Sequence, residues 1–398
     1  MRSAPTLAPD AAAASDEWRA GGFGLYVHWP FCAAKCPYCD FNSHVTDRID
    51  QQRWANALSA EVARLAAEIP DRHLGSIFFG GGTPSLMLPE TVDAVIRAAR
   101  AGWGFANDIE ISLEANPTSV ERGRFRGFAE AGVNRLSMGI QALNDDDLRR
   151  LGRMHSTAEA RAAFDVAREA FPRVSFDLIY ARQGQDRAAW RAELREALAM
   201  AVDHLSLYQL TIEPGTAFGA RADAGRLRDL PDEDLSADMY ADTQEISDAE
   251  GMSGYEISNH ARPGAESRHN LVYWRQGDWA AVGPGAHGRL TLPNGRVATE
   301  AHRLPGQWLT AVETAGTGEL PRALVPRDEQ ATEYLLMAMR LSEGVDSGRL
   351  ERLSGSRLDE SKLRSLEEFG VIVRRGGRIA ATADGRPVLN AILRELAA

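Results

Sequence analysis

Between Gly22 and about Thr216, short apolar runs alternate with amphipathic helical stretches, and this repeat restricts the architecture more than any other property of the chain. The apolar runs occupy 24–28, 76–79, 108–113, 135–139, 174–179 and 204–210; helical periodicity fills 52–69, 90–101, 120–131, 158–170 and 187–201. Runs of this length bounded by turn residues are strand signals, whereas the intervening stretches repeat their apolar positions every three to four residues. A βα unit repeated about six times predicts an α/β fold with a parallel sheet and right-handed crossovers. Six units suit an open, partial (βα)6 barrel, in which functional groups sit on the loops that follow the strands.

Beyond Thr216 the rhythm changes. An acidic helical stretch at 232–250 leads into a segment, 254–288, dense in Gly, His, Asn and aromatic residues. Helices are expected at 332–342, 360–369 and 386–396, with a hairpin at 370–380, which together describe a C-terminal α+β, winged-helix-like domain. The expected division is a disordered leader at 1–21, the barrel at 22–216, a connecting region at 217–325 and the C-terminal domain at 326–398. The leader is rich in Ala, Pro, Asp and Ser and lacks the basic start and apolar stretch of a signal peptide. With no long apolar run, a cytoplasmic, reducing location is expected. The formal net charge of -11 argues against nucleic-acid binding, winged-helix pattern notwithstanding, because such binding depends on basic surface.

All the cysteines, Cys32, Cys36 and Cys39, lie in one short loop directly after the first expected strand. The C-x3-C-x2-C spacing supplies three thiolates to a four-iron cluster and leaves one iron open for chemistry. Zinc completed by His28 or His44, or a simple dithiol at Cys36 and Cys39, are the alternatives. A structural zinc site is usually built from two separated ligand pairs, whereas here the ligands share one loop. The second strand runs into Phe79-Gly80-Gly81-Gly82-Thr83-Pro84, where glycines let the backbone approach a ligand closely. No Gly-Lys-Ser/Thr follows, so the segment is not a phosphate loop.

These two loops, one βα unit apart, resemble the cluster loop and GGGTP loop of radical S-adenosylmethionine (SAM) proteins. That resemblance implies a [4Fe-4S] cluster on Cys32, Cys36 and Cys39, whose open iron chelates SAM, with Gly80, Gly81, Gly82 and Thr83 holding the SAM amino group. Glu114, Gln141, Arg153 and Asp177 stand near the ends of later strands and match the SAM pocket of the coproporphyrinogen dehydrogenase branch. They are expected around the ribose, carboxylate and adenine, with Tyr26 and Tyr38 stacking near cluster and adenine. After the fifth strand, Tyr180-Ala181-Arg182-Gln183-Gly184-Gln185 departs from the family's Tyr-Gly-Leu-Pro-Gly-Gln.

Two details turn the resemblance away from the oxygen-independent coproporphyrinogen III dehydrogenases, the alternative function. Those enzymes carry a further cysteine where this chain has Phe41, and a longer segment ahead of the cluster loop. The chain is more similar to the HemW-type haem chaperones through His269-Asn270-Leu271-Val272-Tyr273-Trp274, which resembles their HNxxYW motif. By that resemblance His269 is a haem-iron ligand flanked by Tyr273 and Trp274, and Arg268 or Arg275 meets a propionate, with His260 and His287 as lesser candidates. The implied partners are haem-accepting proteins such as respiratory haem enzymes, met by a monomer or homodimer with transient membrane association.

Overall fold

A computed structural model describes residues 16–397. Six parallel strands carry the expected alternation: β1 (Phe23–Trp29), β2 (His73–Gly81), β3 (Gly104–Ala115), β4 (Arg135–Gln141), β5 (Arg173–Tyr180) and β6 (His204–Gln209). Their outward residues are nearly continuous buried apolar side chains, as a sheet covered by helices requires. The crossovers include α1 (Gln51–Glu68), α2 (Pro89–Gly102), α3 (Thr157–Ala170) and α4 (Arg187–Met200). Each has a local reason to start where it does. Asp50 and Asp186 accept from Arg53 N and Ala189 N, Pro89 opens α2, and Ser156 with Glu159 forms a reciprocal capping box before α3.

The expected helix at 120–131 is instead two short helices, Ser119–Arg122 and Phe125–Glu130. Gly123 weakens the helix there, and the Arg124 guanidinium is drawn off to the carbonyls of Ser85, Leu86 and Met87. The helix expected at 332–342 runs from Arg327 to Ala338, because Pro326 fixes an earlier start and Asp328 and Glu329 favour the first turn.

The region 217–325 is more than a connection, since it extends the barrel sheet on both sides. After α5 (Glu233–Ala249) come β7 (Ser253–Gly254) and β8 (Asn259–Ala261); β8 pairs antiparallel with β6, and β7 antiparallel with β8. Beyond α6 (Arg268–Trp274), β9 (Asp278–Val282) pairs parallel with β1, followed by β10 (His287–Leu292), β11 (Gly295–Glu300) and β12 (Ala323–Leu324). The resulting sheet has the order β12-β11-β10-β9-β1-β2-β3-β4-β5-β6-β8-β7. Buried Asp278 ties β9 to the barrel through Arg72 at 3.0 Å and to β11 through Arg296 at 2.7 Å. A charged residue opening a strand, with glycines close after it, hides the usual strand pattern.

The C-terminal domain packs its own core of Leu335, Leu350, Leu363, Ile372, Ile379 and Ile392 around a three-stranded sheet. Most of the expected leader, residues 1–15, lies outside the described residues, but its last part is ordered and corrects that expectation. Glu17–Ala20 forms a 3-10 turn in which Trp18 is buried beneath the Arg72 guanidinium, 3.5 Å from the ring centroid. Glu17 pairs with Arg349 and Arg352, so burial of one aromatic ring and two ion pairs outweigh the disorder-favouring composition.

Candidate functional site

The cysteine loop begins as β1 ends. Phe31–Cys32 pairs in parallel with His44–Val45, so the loop closes on itself like a staple and carries Cys36 and Cys39 between. Cys39 N donates to Cys36 O, making a tight turn. The glycine loop lies alongside, joined by Gly82 N to Trp29 O at 2.7 Å and Thr83 N to Phe31 O at 2.8 Å. A Cβ on Gly81, whose φ is +111°, would meet the His28 ring at 2.7 Å, and one on Gly82 would meet Phe31 O at 2.7 Å. These glycines therefore let β2 lie against the cysteine-loop backbone as well as expose amides.

The three thiols line one cleft together with Tyr38, Gly81, Gly82, Thr83, Glu114, Gln141, Arg153 and Asp177. Among the described residues no three metal-binding side chains converge on a single ion position. Arg153 Nη1 lies 3.2 Å from Cys36 Sγ, and its Nη2 donates to Asn116 Oδ1 and Gly139 O. Asn116 also donates to Thr83 Oγ1, linking the third strand's end to the glycine loop. Gly81 N donates to Glu114 at 3.2 Å. Burial, with the neighbouring charge of Asp177, pushes Glu114 up to about 8; burial raises Asp177 to about 6 against the pull of Ser206 and Arg135. Burial also raises the Cys32 and Cys39 thiols, so anion formation there needs a compensating cation.

Gln141 adopts φ +74°, a left-handed conformation uncommon for its type, at a break in the β4–β5 register. Its Oε1 and the Nε of Arg153 are buried without a hydrogen-bond partner. Buried polar atoms left over in this way fit a cleft made for a polar ligand. The donors present suit the pair that the motifs imply, with thiolates for a cluster and Glu114, Gln141 and Arg153 for the charged groups of SAM. Asn116 belongs to this set and escaped sequence reading; its signal was its position two residues after Glu114 at the strand end.

Tyr26 does not line the cleft. It points into the barrel interior, with its hydroxyl 3.0 Å from His28 Nδ1. His269 lies on the same interior side. It sits near the N-terminal ends of β1 and β2, where Gly24 leaves room for its ring. Ser76 Oγ is 2.9 Å from its Nδ1 and Tyr273 Oη is 2.7 Å from its Nε2, while the Phe78 and Tyr26 rings lie beside it, tilted from its plane by 24° and 28°. The residue is 1% exposed, and burial depresses its pKa to about 3. From Ser76 to Gly81 the strand rises roughly 16 Å, which separates His269 from the cysteine loop. The expected flanking residues also differ: Tyr273 packs edge-on against Trp279, and Trp274 joins Tyr255 and Leu341 in a separate apolar cluster. Arg268 is paired with Asp108 and Arg275 with Glu343. In this conformation the motif offers haem neither a free nitrogen nor a free guanidinium, because a short helix with an aromatic on every turn fills the barrel base.

Comparison with known proteins matches the geometry. Residues 26–197 match the Radical SAM superfamily and 325–388 the HemN C-terminal domain. "Heme chaperone HemW" of Haemophilus influenzae is 36% identical over 385 residues, covering 93% of this chain and 96% of the relative. The chain belongs to the HemW family of radical SAM proteins. A HemW of Mycobacterium tuberculosis is 35% identical over 94% of both chains, and "Radical S-adenosyl methionine domain-containing protein 1, mitochondrial" of Danio rerio is 38% identical over 81% of this chain and 73% of its own. The fold is that of coproporphyrinogen III oxidase (HemN) from Escherichia coli, with a TM-score of 0.79, 23% identity and coverage of 96% of this chain and 92% of that one. In this HemW-family chain, Phe41 stands 59% exposed at the mouth of the cleft. The departure after β5 is absorbed locally. Ala181 takes φ +56°, and Arg182 is buried between Asp147 and Glu193 at 2.8 and 2.5 Å.

Proposed function

We propose that the protein is a haem chaperone that holds a [4Fe-4S] cluster with SAM, binds haem and delivers it to acceptor proteins such as respiratory haem enzymes. The observation that carries this reading is end-to-end similarity to HemW chaperones at 36% identity, joined to one cleft that gathers Cys32, Cys36 and Cys39 with Glu114, Gln141 and Arg153. Cys32, Cys36 and Cys39 would hold the cluster; Gly81, Glu114, Gln141 and Arg153 would bind and orient SAM. When bound, this pair supplies one-electron chemistry. The chain's part is to position SAM by hydrogen bonds and to exclude water with the barrel wall. Coproporphyrinogen III dehydrogenation is not favoured, since Phe41 replaces the further cysteine expected of the dehydrogenases.

The reading includes a cytoplasmic monomer or homodimer that meets membrane acceptors transiently and binds no nucleic acid. Among the described residues no helix is long and apolar enough to cross a membrane. Anaerobically reconstituted protein titrated with haem, and separately incubated with SAM, reductant and coproporphyrinogen III, tests it. Stoichiometric haem binding and transfer without porphyrinogen turnover is expected; turnover without haem binding would reverse the assignment.

A further inference from the structure

Thr83 stands where a helix cap would stand and does not act as one. It precedes the 3-10 turn Pro84–Leu86, a position at which a threonine hydroxyl ordinarily accepts from a backbone amide of the turn, yet its side chain makes no such bond. Its backbone is already committed, Thr83 N donating to Phe31 O at 2.8 Å. The hydroxyl donates instead to Cys32 Sγ at 3.4 Å, and both residues are buried.

The direction of that bond follows from the groups behind it. A guanidinium carries no acceptor, so Arg153 Nη2 must meet the oxygen of the Asn116 amide. That turns Asn116 Nδ2, which can only donate, toward Thr83 Oγ1 at 3.2 Å. The Thr83 oxygen accepts there and keeps its single proton for Cys32. The chain Arg153, Asn116, Thr83, Cys32 therefore runs in one sense, with a cation at one end and a sulfur at the other. The same guanidinium reaches Cys36 Sγ directly through Nη1 at 3.2 Å. Buried Glu121 holds both supporting segments, accepting from Asn116 N at 2.6 Å and from Ser85 Oγ, two residues beyond Thr83.

We propose that this relay sets the reduction potential of the cluster, with Thr83 and Asn116 as positioning residues that aim one hydroxyl proton at Cys32 Sγ. The proposal rests on the reading that Cys32, Cys36 and Cys39 hold a [4Fe-4S] cluster. One-electron reduction adds negative charge to such a cluster, and part of that charge falls on the thiolate sulfurs. A hydrogen bond to sulfur therefore favours the reduced form and raises the potential, and a buried chain of polarised neighbours strengthens the bond. Arg153 acts on two of the three ligands, on Cys36 by contact and on Cys32 through the relay.

Full-length protein reconstituted with iron and sulfide, kept free of SAM and titrated with dithionite through redox mediators, tests the relay by the electron paramagnetic resonance of the reduced cluster. Thr83→Val keeps the side chain's shape and removes the proton. It should retain about four irons per chain. Its midpoint potential should fall by about 59 mV or more, a tenfold loss in the ratio of reduced to oxidised cluster at a fixed poise. Thr83→Ser should restore the parent potential. Asn116→Asp replaces the donor by an acceptor, draws the hydroxyl proton away from Cys32 and should lower the potential as well. In the Thr83→Val background it should add little, because the proton through which it acts is gone. An unchanged potential in iron-loaded Thr83→Val, or shifts that simply add in the double variant, overturns the relay and leaves the cluster reading standing. Parent protein that takes up no iron with sulfide overturns both.

Discussion

His269 and Tyr273, one helical turn apart on α6, are joined at 2.7 Å inside the base of the barrel rather than displayed at its surface. Ser76 of β2 holds the other ring nitrogen, so the imidazole fastens α6 to that strand. His269→Ala should cost about 2–4 kcal/mol of stability, since it opens a cavity and leaves two buried hydroxyls unpaired. Tyr273→Phe should cost about 1–2 kcal/mol. Thermal unfolding of both variants checks this, with iron content expected to match the parent.

Glu114 gives the protein a pH dependence of uncommon direction. An unfolded glutamate ionises near 4.5, whereas Glu114 keeps its proton to about 8, so between these values the folded state binds more protons. Stability of the SAM-free protein should therefore fall as pH rises from about 5 to 8. Because the carboxyl borders an open cleft, the loss is on the order of 1–2 kcal/mol rather than the full value of the shift. Glu114→Gln should flatten the profile of denaturation midpoint against pH; an unaltered slope would place its cause elsewhere.

Arg153 bridges the thiol of Cys36, Asn116 and Gly139 O, and so braces the cysteine loop against two later strands. Arg153→Met should retain about four irons per chain after reconstitution, the thiolates being intact. The concentration of SAM needed to perturb the spectrum of the reduced cluster should rise roughly tenfold or more. Loss of iron with no change in SAM response would contradict the assigned role.

The segment after β5 should respond in opposite senses at adjacent positions. Ala181→Gly relieves a left-handed alanine and should stabilise by about 0.5–1 kcal/mol. Arg182→Met leaves Asp147 and Glu193 without their buried partner and should cost about 3 kcal/mol. Denaturant midpoints of the two single variants give both signs directly.

The parallel strands β1 to β6 and their helices were legible because a covered sheet imposes unbroken apolar runs and its crossover helices impose a clear period. The cleft was legible because Cys32, Cys36, Cys39 and the Gly80-to-Thr83 loop carry chemistry in a short stretch. Less legible were β9 to β12, where Asp278 and Arg296 bury charge against each other and so erase the apolar alternation that marks a strand. The places of Tyr26 and His269 were illegible for a different reason. A motif names residue types in order, but whether a side chain points into the barrel or onto its rim depends on strand register.

The placement of β9 beside β1 has a consequence for how the chain is made. Val27 pairs with Phe79 on one side and with Val282 on the other, a partner synthesised long after the six βα units. Until that segment leaves the ribosome, the first strand presents a bare, hydrogen-bonding edge of the kind that captures other chains. Parallel pairing across so long a loop also slows assembly. The stretch 26–197 that matches the superfamily leaves out the segment that covers this edge of β1. Fragments ending before Asp278 should aggregate where the full chain does not, because β1 then lacks its β9 partner.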